Sequence, residues 1–399
     1  MPLAAELELP HFDHTNPELR GEAYRRAMAG LEGHEGWLAG SPFGYIVLDR
    51  EAGEFFLRTR HAAFPGLTIA ELFGISDGPL HEEIVRNIIN ADGDEHRRLR
   101  HLVNPALSPR AVDRHRPAMR RFLADLFAVV EAAESCEFIA DIAKPYPSLV
   151  IAHVMGAPLE DAPRLYDWSN WIQRQFDAVS LMTERPQIEL AVREFYDYAD
   201  VLIAERRQTP GEDLISSLIA AEGLTPEELR NLVLNILVGG VDTSQSQLAH
   251  AVRLLAEHPD QWQALREDPD GLAAAAVEEA LRYEPITPLT ARIVTSELEY
   301  RGITFPAGSV VLVSAWHGNR EDVEPDRFDI RARRDGRLLT FGAGIHYCVG
   351  ANLARAEMQE ALIFLAERVK SVTLAGEPEY GTPSGIYGLA SLPLKLELA

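Results

Sequence analysis

Apolar residues recur at intervals of three and four along most of the chain, which places them on one face of an α-helix. This pattern predicts five long helices, over 116–133, 225–240, 246–258, 271–283 and 352–369. Thr225, followed by Pro226 and two glutamates, is a helix-start signal. The chain is therefore expected to be mainly helical.

Short strand-like segments cluster at three places. Residues 44–58 are predicted to form a hairpin, 291–316 several short strands separated by Gly and Pro turns, and 390–399 a final strand. No internal repeat, low-complexity tract or flexible linker divides the sequence. We expect one domain over 1–399, with strand-rich regions at about 40–60 and 291–316 and a helical core at about 80–283 and 352–369.

Composition narrows the function classes. The chain has 399 residues, 46% of them hydrophobic, and a formal net charge of −23, which argues against general nucleic-acid binding. Its two cysteines, Cys136 and Cys348, form no disulfide framework. The first residues do not resemble a signal peptide, and no apolar run is long enough for a membrane span. We therefore expect a cytoplasmic protein.

One cysteine stands in an unusual loop, FGAGIHYCVG, which spans 341–350 and precedes a predicted helix. A thiol at a helix start has a lowered pKa, and the loop glycines let backbone N–H groups approach the sulfur. Cys348 could be an inert buried residue, a nucleophile paired with His346, a metal ligand or an axial thiolate on haem iron. Zinc-type cysteine spacing is absent.

A second unusual segment, LVGGVDTS at 237–244, interrupts an apolar helical pattern. Two glycines inside a helix cost about 1 kcal/mol each relative to alanine. The helix could end at Gly239 and Gly240, but helical periodicity resumes at once, so a continuous helix beside something large is expected. Thr243 can bond the carbonyl one turn back and loosen the helix locally.

Two further helical patterns carry charge. Glu279 and Arg282 stand at i, i+3 and can pair, although such pairs are usually solvated. His96 and Arg100 share a helix face within the run EHRRLR, which by itself fits a solvated basic face.

These motifs together resemble the cytochrome P450 family of haem-thiolate monooxygenases. The signature is Phe341-x-x-Gly344-x-His346-x-Cys348-x-Gly350, continuing into Leu353-Ala354-Arg355-x-Glu357. The resemblance implies the mainly helical, single-domain fold of that family, with small sheets, and haem b as the cofactor. It further implies that Cys348 is the axial iron ligand, that Phe341 packs beside the sulfur and that His346 bonds a haem propionate.

The resemblance also assigns the other motifs. Gly239 would lie beside the haem, while Asp242 relays protons and Thr243 assists oxygen activation. Glu279 and Arg282 would brace the cysteine loop from behind, with a third partner from Asn319, Arg320 or Arg327. The remaining propionate donors would be His96, Arg100 and Arg292.

The implied activity is O2- and electron-dependent hydroxylation or epoxidation of a small hydrophobic substrate. The residues expected at the substrate are Asn235, Gly239, Ile286, Leu289, Ile386 and Tyr387. Asn235, which is polar within an apolar face, is expected to bond a polar group of the substrate. The alternatives are a haem-thiolate isomerase or dehydratase that does not use O2, and a non-catalytic haem sensor.

Electrons would come from a separate ferredoxin and ferredoxin reductase, because the chain carries no motif for either. The predicted docking patch is basic and consists of Arg97, Arg98, His101, Arg331, Arg333 and Arg334. A plain solvated basic run is the alternative. The protein is expected to be a monomer.

Overall fold

The computed structural model describes residues 2–131, 135–321, 324–334, 336–381 and 385–399. Over these residues it has eighteen α-helices, namely α1 Gly21–Ala29, α2 Arg50–Arg58, α3 Gly66–Leu72, α4 Gly78–Arg86, α5 Gly93–Val103, α6 Pro109–Asp113, α7 Arg116–Glu131, α8 Pro145–Met155, α9 Ala162–Gln173, α10 Ala178–Thr183, α11 Arg185–Gln208, α12 Leu214–Ala220, α13 Pro226–Gly240, α14 Asp242–Glu257, α15 Pro259–Glu267, α16 Pro269–Tyr283, α17 Ala315–Gly318 and α18 Ala351–Arg368.

The strands over the same residues are β1 Leu38–Ser41, β2 Gly44–Val47, β3 Ala62–Ala63, β4 Ser135–Glu137, β5 Leu289–Val294, β6 Leu298–Tyr300, β7 Ile303–Phe305, β8 Val310–Ser314, β9 Val369–Leu374, β10 Glu379–Tyr380, β11 Leu389–Ser391 and β12 Pro393–Leu398. Short 3-10 turns occur at Ala4–Glu6, Leu159–Asp161, Arg174–Phe176 and Gly344–His346, and a π-helical turn at Ile139–Ala143. This mainly helical chain with small sheets confirms the predicted fold class.

The predicted long helices are present, with ends shifted by a few residues. The clearest case is α13, where the Thr225 side chain accepts from the Glu228 amide (3.2 Å) and Glu228 accepts from the Thr225 amide (2.9 Å). This capping box satisfies two N–H groups that a helix start otherwise leaves without partners. The predicted last residues of the helix over 116–133, at 132–133, lie outside the described residues.

The predicted hairpin over 44–58 is wrong in its second half. The hairpin is formed by β1 and β2, which pair antiparallel from Leu38 with Val47 to Ser41 with Gly44. Residues 50–58 instead form α2, because the Asp49 side chain caps the helix by accepting from the Ala52 amide (2.7 Å). The buried residues of α2 follow a helical spacing and are Ala52, Gly53, Phe56 and Leu57.

The chain divides into two compact units that alternate along the sequence. The first unit comprises 1–65, 278–348 and 380–387 and contains a five-stranded sheet of order β1-β2-β8-β5-β3. Strands β5 and β8 pair antiparallel, with Arg292 opposite Val311. Trp37, Phe56 and Phe305 pack in a buried cluster of this unit. The prediction of one domain over the whole chain stays a prediction.

The second unit comprises 66–277, 349–379 and 388–399. It contains most of the helices and a three-stranded sheet of order β4-β12-β9. Helix α11 packs on α4, α9 and α13, while α7 packs on α8 and α18. Helices α13 and α14 are buried along most of their length, so the few residues on them that keep accessible surface mark where the helices border open space. Among the described helices, none is long and apolar enough to cross a membrane.

Candidate active site

The cysteine loop is folded tightly around its glycines. The Cys348 amide donates to the Phe341 carbonyl (2.9 Å), which closes the loop. Gly342 and Gly344 have φ of +70° and +73°, a region that L-residues avoid. A Cβ atom on Gly344 would lie 2.9 Å from the Leu57 carbonyl oxygen, so the loop lies directly against the end of α2.

The two cysteines have different environments. Cys348 is half-buried at the end of this loop, three positions before α18 begins along the chain. Cys136 is buried in β4, where burial raises the pKa of its thiol to about 12. Cys136 is therefore an inert core thiol, whereas Cys348 can reach a ligand.

Glu279 and Arg282 form a buried ion pair, so the solvated alternative is wrong. The Arg282 guanidinium donates from Nε to Glu279 Oε2 and from Nη2 to Glu279 Oε1, both at 2.8 Å. The Arg282 side chain is 1% exposed and the Glu279 side chain 3% exposed. Arg282 also donates to the backbone carbonyls of Pro325 (2.7 Å) and Arg327 (2.9 Å). The pair is bidentate and has further hydrogen bonds, which a buried ion pair requires for stability.

The third side chain on this pair is Arg334, which the sequence did not single out for the role. Its Nη2 donates to Glu279 Oε1 (3.2 Å). The predicted side-chain partners are wrong: Arg320 donates to the carbonyl of Tyr283, and Arg327 contributes its backbone carbonyl. The run RARR offers several arginines of identical type, and their spacing does not show which one faces inward.

Asn319 has a different task, which the sequence also did not show. Its Nδ2 donates to Thr340 Oγ1 (2.8 Å), and its Oδ1 accepts from the Leu339 amide (2.8 Å). Thr340 in turn donates to the Leu281 carbonyl at the end of α16 (2.7 Å). The residues just before the cysteine loop are thus tied to the helix that carries Glu279.

The helical pattern over 226–257 is interrupted at one residue. Val241, with φ −94° and ψ −71°, separates α13 from α14, so the expected continuous helix is broken for one position. The Thr243 hydroxyl donates to the Gly239 carbonyl (2.6 Å), as predicted. This bond satisfies a carbonyl that the interruption releases from the backbone ladder.

One face of this helix pair keeps accessible surface. It consists of Asn235, Gly239 and Thr243, whereas Leu237 and Val241 are fully buried. Gly240 lies on another side of the helix, where a Cβ atom would clash with the Ile151 side chain. A Cβ atom on Gly239 would meet nothing within 4 Å, so this face borders open space. We call Asn235, Gly239 and Thr243 the open face.

Asp242 is buried beside the open face and interacts with α9. Its carboxylate accepts from Ser169 Oγ (2.7 Å) and from Asn170 Nδ2 (3.2 Å). Burial raises the pKa of Asp242, and the hydrogen bonds from Ser169 and Asn170 partly oppose that change. A carboxyl group with a raised pKa keeps its proton to a higher pH than a solvated aspartate does.

Asn235 already has protein partners. Its Oδ1 accepts from the Ile88 amide (3.1 Å), and its Nδ2 donates to Glu83 Oε1 (3.3 Å). These two bonds use one donor and one acceptor of the amide, so the expected bond to a polar group of the substrate stays a prediction. Glu83, which is fully buried, was missed because nothing in its sequence surroundings marks it.

The other predicted substrate contacts separate into two groups. Tyr387 is fully buried, packs on Tyr24 and accepts from the Gly21 amide (2.8 Å), so it belongs to the core and the predicted ligand contact is corrected. Ile286 is 6% exposed and accepts through its carbonyl from the Tyr387 amide. Leu289 and Ile386 keep accessible surface and can contact a ligand.

The predicted cationic donors occur in both units. In the first unit, Arg292 is buried in β5 and His346 ends the 3-10 turn before Cys348. In the second, His96 is buried and Arg100 half-buried on the same face of α5. Such N–H donors suit the carboxylates of haem, and a half-buried thiol suits its iron. The residues present therefore fit this cofactor.

Arg97 and Arg98 lie on the exposed side of α5 and are both in ion pairs. Arg97 pairs with Asp94, and Arg98 pairs with Glu228. Together with the inward position of Arg334, these pairs leave the predicted basic patch with fewer uncompensated charges than the sequence indicated.

Comparison with known proteins agrees with these features. A family model described as cytochrome P450 matches residues 79–368. A luteothin monooxygenase from Streptomyces thioluteus is 32% identical over 98% of this chain and 97% of its own length. A cyclomarin C epoxidase from Salinispora arenicola is 35% identical over 84% of this chain and 87% of its own.

Solved structures show the same relationship. The crystal structure of CalO2 has a TM-score of 0.88 at 29% identity, covering 97% of this chain and 99% of that one. P450BioI, solved in complex with an acyl carrier protein ligated with hexadec-9Z-enoic acid, has a TM-score of 0.87 at 28% identity, covering 96% of this chain and 99% of that one. The names of the relatives describe oxygen insertion and favour it over an oxygen-independent isomerase or a sensor. The chain therefore belongs to the cytochrome P450 family and is a haem-thiolate monooxygenase that uses haem b.

Proposed function

We propose that Cys348 is the thiolate ligand of the haem iron and that Arg292, His346, His96 and Arg100 donate to the haem propionates. The half-buried position of Cys348, at the end of a loop held by the Asn319 and Glu279 contacts, supports this role. Phe341 packs beside the sulfur in this proposal. Its carbonyl accepts from the Cys348 amide, which fixes the start of the loop relative to the thiol.

When bound, haem supplies the two-electron activation of O2 by which one oxygen atom enters a C–H or C=C bond and the other leaves as water. The protein's task is to hold the substrate and to deliver protons. The Thr243 hydroxyl directs its hydrogen at the Gly239 carbonyl, so its oxygen lone pairs remain available to accept a hydrogen bond on the open face. Asp242, held by Ser169 and Asn170, supplies the adjacent proton-exchanging group.

The observation that carries this proposal is the open face itself. Thr243 and Gly239 keep accessible surface on a helix pair that is otherwise buried, and the acid next to Thr243 points away into a hydrogen-bonded site. In this proposal Thr243 accepts a hydrogen bond on the open face, and Asp242 exchanges protons from a position outside the substrate's volume.

The test is the coupling of electron use to product formation. Thr243→Ala is expected to lower the product formed per electron pair and to raise hydrogen peroxide release, because the hydroxyl acceptor is lost. Thr243→Ser keeps the hydroxyl and is expected to stay close to wild type. Asp242→Asn is expected to slow turnover by about tenfold or more. Wild-type coupling in Thr243→Ala would contradict the assignment.

We propose a hydrophobic organic substrate. Leu289 and Ile386 are apolar residues that keep accessible surface. On the open face Gly239 leaves room for a bulky molecule, because a Cβ atom there would meet nothing within 4 Å. The names of the relatives, which include a luteothin monooxygenase and an erythromycin C-12 hydroxylase, indicate the chemical range within which a screen should begin.

We propose that a ferredoxin, reduced by a ferredoxin reductase, supplies the electrons to a monomer. Arg331 and Arg333 are exposed in the stretch before the cysteine loop and are basic residues in a chain of net charge −23. Arg334 is excluded from this docking patch because it serves the ion pair with Glu279.

Charge reversal tests the docking patch. Arg333→Glu is expected to slow reduction by an acidic ferredoxin at low salt, and the effect should fall as salt rises. Arg207→Glu, at an exposed position near the end of α11, makes the same change of net charge and is expected to be reduced at the wild-type rate. Equal rates for the two variants would contradict the patch.

A further inference from the structure

A buried carboxyl group surrounded by amides lies next to the open face. Glu83 is fully buried in α4, and its Oε1 accepts from Asn87 Nδ2 (2.5 Å) and Asn235 Nδ2 (3.3 Å). Burial raises the pKa of Glu83, hydrogen bonds from Asn87, Gln175 and Asn235 partly oppose this change, and the resulting pKa is about 7. Among the described residues, Glu83 Oε2 has no hydrogen-bond partner.

Glu83 determines how Asn235 is oriented. The carboxyl oxygen accepts from Asn235 Nδ2, and the Ile88 amide donates to Asn235 Oδ1, so each end of the side-chain amide has a partner of the correct kind. A primary amide has two N–H donors and two acceptor lone pairs. Asn235 therefore keeps one donor and one acceptor for a further partner.

The chain that follows α4 is attached to the same pair. Asn87 donates to Glu83 and accepts from the Ile89 amide (3.0 Å), while Ile88 donates to Asn235. Glu83 thus holds both the open-face amide and the backbone of the segment that passes beside it.

The position of Asn235 makes it a point of recognition. It stands at i−4 from Gly239 and i−8 from Thr243, on the open face, whereas its neighbours Leu234 and Ile236 are buried. A leucine at 235 would continue the apolar run without the desolvation of a carboxyl and an amide. Along the helix axis, Asn235 lies about 12 Å from Thr243.

We propose that Asn235 is a specificity-determining residue that binds a neutral hydroxyl or carboxamide group on the substrate, and that Glu83 is its positioning residue. A group of either kind both donates and accepts, which matches the free donor and acceptor of Asn235. The substrate class is accordingly a hydrophobic molecule whose polar group lies about 12 Å along the helix axis from Thr243. This inference rests on the proposed function.

A series of synthetic ligands of increasing length tests the inference without knowledge of the natural substrate. N-alkylimidazoles of stepwise increasing chain length, each with and without a terminal hydroxyl, bind haem iron through the imidazole nitrogen and shift its absorption spectrum. Spectral titration gives a Kd for each member of a pair. In the wild type the hydroxyl is expected to tighten binding by about 3- to 10-fold at one chain length, and less at shorter and longer lengths.

Variants separate recognition from structural effects. Asn235→Leu and the smaller change Asn235→Ser are expected to remove the preference for the hydroxyl ligand. Glu83→Leu is expected to remove the preference for the hydroxyl ligand as well. Glu83→Gln keeps an oxygen that can accept from Asn235 and is therefore expected to retain this preference. The matched control is Asn231→Leu, one turn earlier. The buried Asn231 amide donates to the Tyr196 hydroxyl (2.9 Å) and to the Glu83 backbone carbonyl (3.4 Å), and neither bond involves the Glu83 carboxyl. That variant is expected to keep the preference.

The inference is overturned if the hydroxyl gives no gain at any chain length in the wild type. It is also overturned if the gain persists in both Asn235 variants. A haem-loaded wild type whose spectrum responds to none of the imidazoles would instead refute the proposed haem site, on which the inference depends.

Discussion

Arg334 is predicted to stabilise the protein, whereas its neighbour Arg333 is not. Arg334 is 14% exposed and donates to Glu279, whose carboxylate is 3% exposed. Substituting methionine keeps much of the aliphatic length and removes the charged donor. The variant Arg334→Met leaves Glu279 with its two bonds from Arg282 and one from the Asp329 amide (3.0 Å).

The magnitude follows mainly from the loss of the bond to Glu279, because the other acceptor of Arg334, the Arg327 backbone carbonyl (3.2 Å), is neutral. A hydrogen bond to a charged group contributes about 1.5–3 kcal/mol, and the N–O distance of 3.2 Å places this one in the lower part of that range. We therefore expect Arg334→Met to cost about 2 kcal/mol in the free energy of unfolding. Arg333→Met removes the same charge at an exposed position and is expected to change it by less than about 0.5 kcal/mol.

Urea unfolding of the two haem-loaded variants, followed by both haem absorbance and circular dichroism, measures the difference. A cost of 2 kcal/mol corresponds to a midpoint lowered by about 0.5 M for a protein of this size. Haem loss from Arg334→Met is expected to precede loss of helicity, because Glu279 is linked to the residues before the cysteine loop. An Arg334→Met midpoint equal to that of the wild type would refute the reasoning. Equal decreases in the two variants would also refute it, because they would indicate a general effect of charge.

Three more results are expected. Gly344→Ala should lower haem retention and the free energy of unfolding far more than Gly342→Ala. Both positions have positive φ, where alanine costs about 1–2 kcal/mol, but only a Cβ atom at 344 would lie 2.9 Å from the Leu57 carbonyl oxygen. Equal losses in the two variants would argue against this packing. Burial raises the pKa of Glu357 from 4.5 to about 8, so the stability contributed by its protonated form is fully present below the pKa of the unfolded chain and is lost as the pH rises through the pKa of the folded protein. Glu357→Gln should therefore reduce the fall in unfolding free energy between pH 5 and 8 by on the order of 4 kcal/mol. An unchanged pH dependence of the unfolding free energy in urea titrations would contradict this. Ser169→Ala removes a hydrogen bond that lowers the pKa of Asp242, so the pH at which turnover falls should move upward, and an unmoved pH profile would argue against a proton-exchanging Asp242.

Helix positions were predictable because the information is local. Thr225, Pro226 and Glu228 supply the start of α13 within a few residues, and the capping box forms as the sequence indicates. The hairpin predicted over 44–58 was wrong in its second half, although the signal for a helix there is also local. Residues 50–58 carry a helical pattern of buried residues, and the Asp49 cap begins a helix there.

Side-chain partners were less predictable because they depend on segments far apart in the chain. Asn235 was singled out as polar in an apolar run, but its partner Glu83 stands 152 positions earlier and gives no local signal. Arg334 lies among arginines of the same type, and only the approach of that segment to Glu279 distinguishes it. The resemblance to a family indicated that Glu279 and Arg282 are buried, yet the side chain that joins them follows from tertiary packing.

The central claim is that Cys348 is the thiolate ligand of the haem iron. It is tested most directly by the absorption difference spectrum of the reduced, haem-loaded protein with carbon monoxide, recorded for the wild type and for Cys348→Ser. The account predicts the strongly red-shifted main band of a thiolate-ligated haem in the wild type and its loss in the variant. A folded, haem-loaded wild type without that band, or a variant that retains it, would contradict the account.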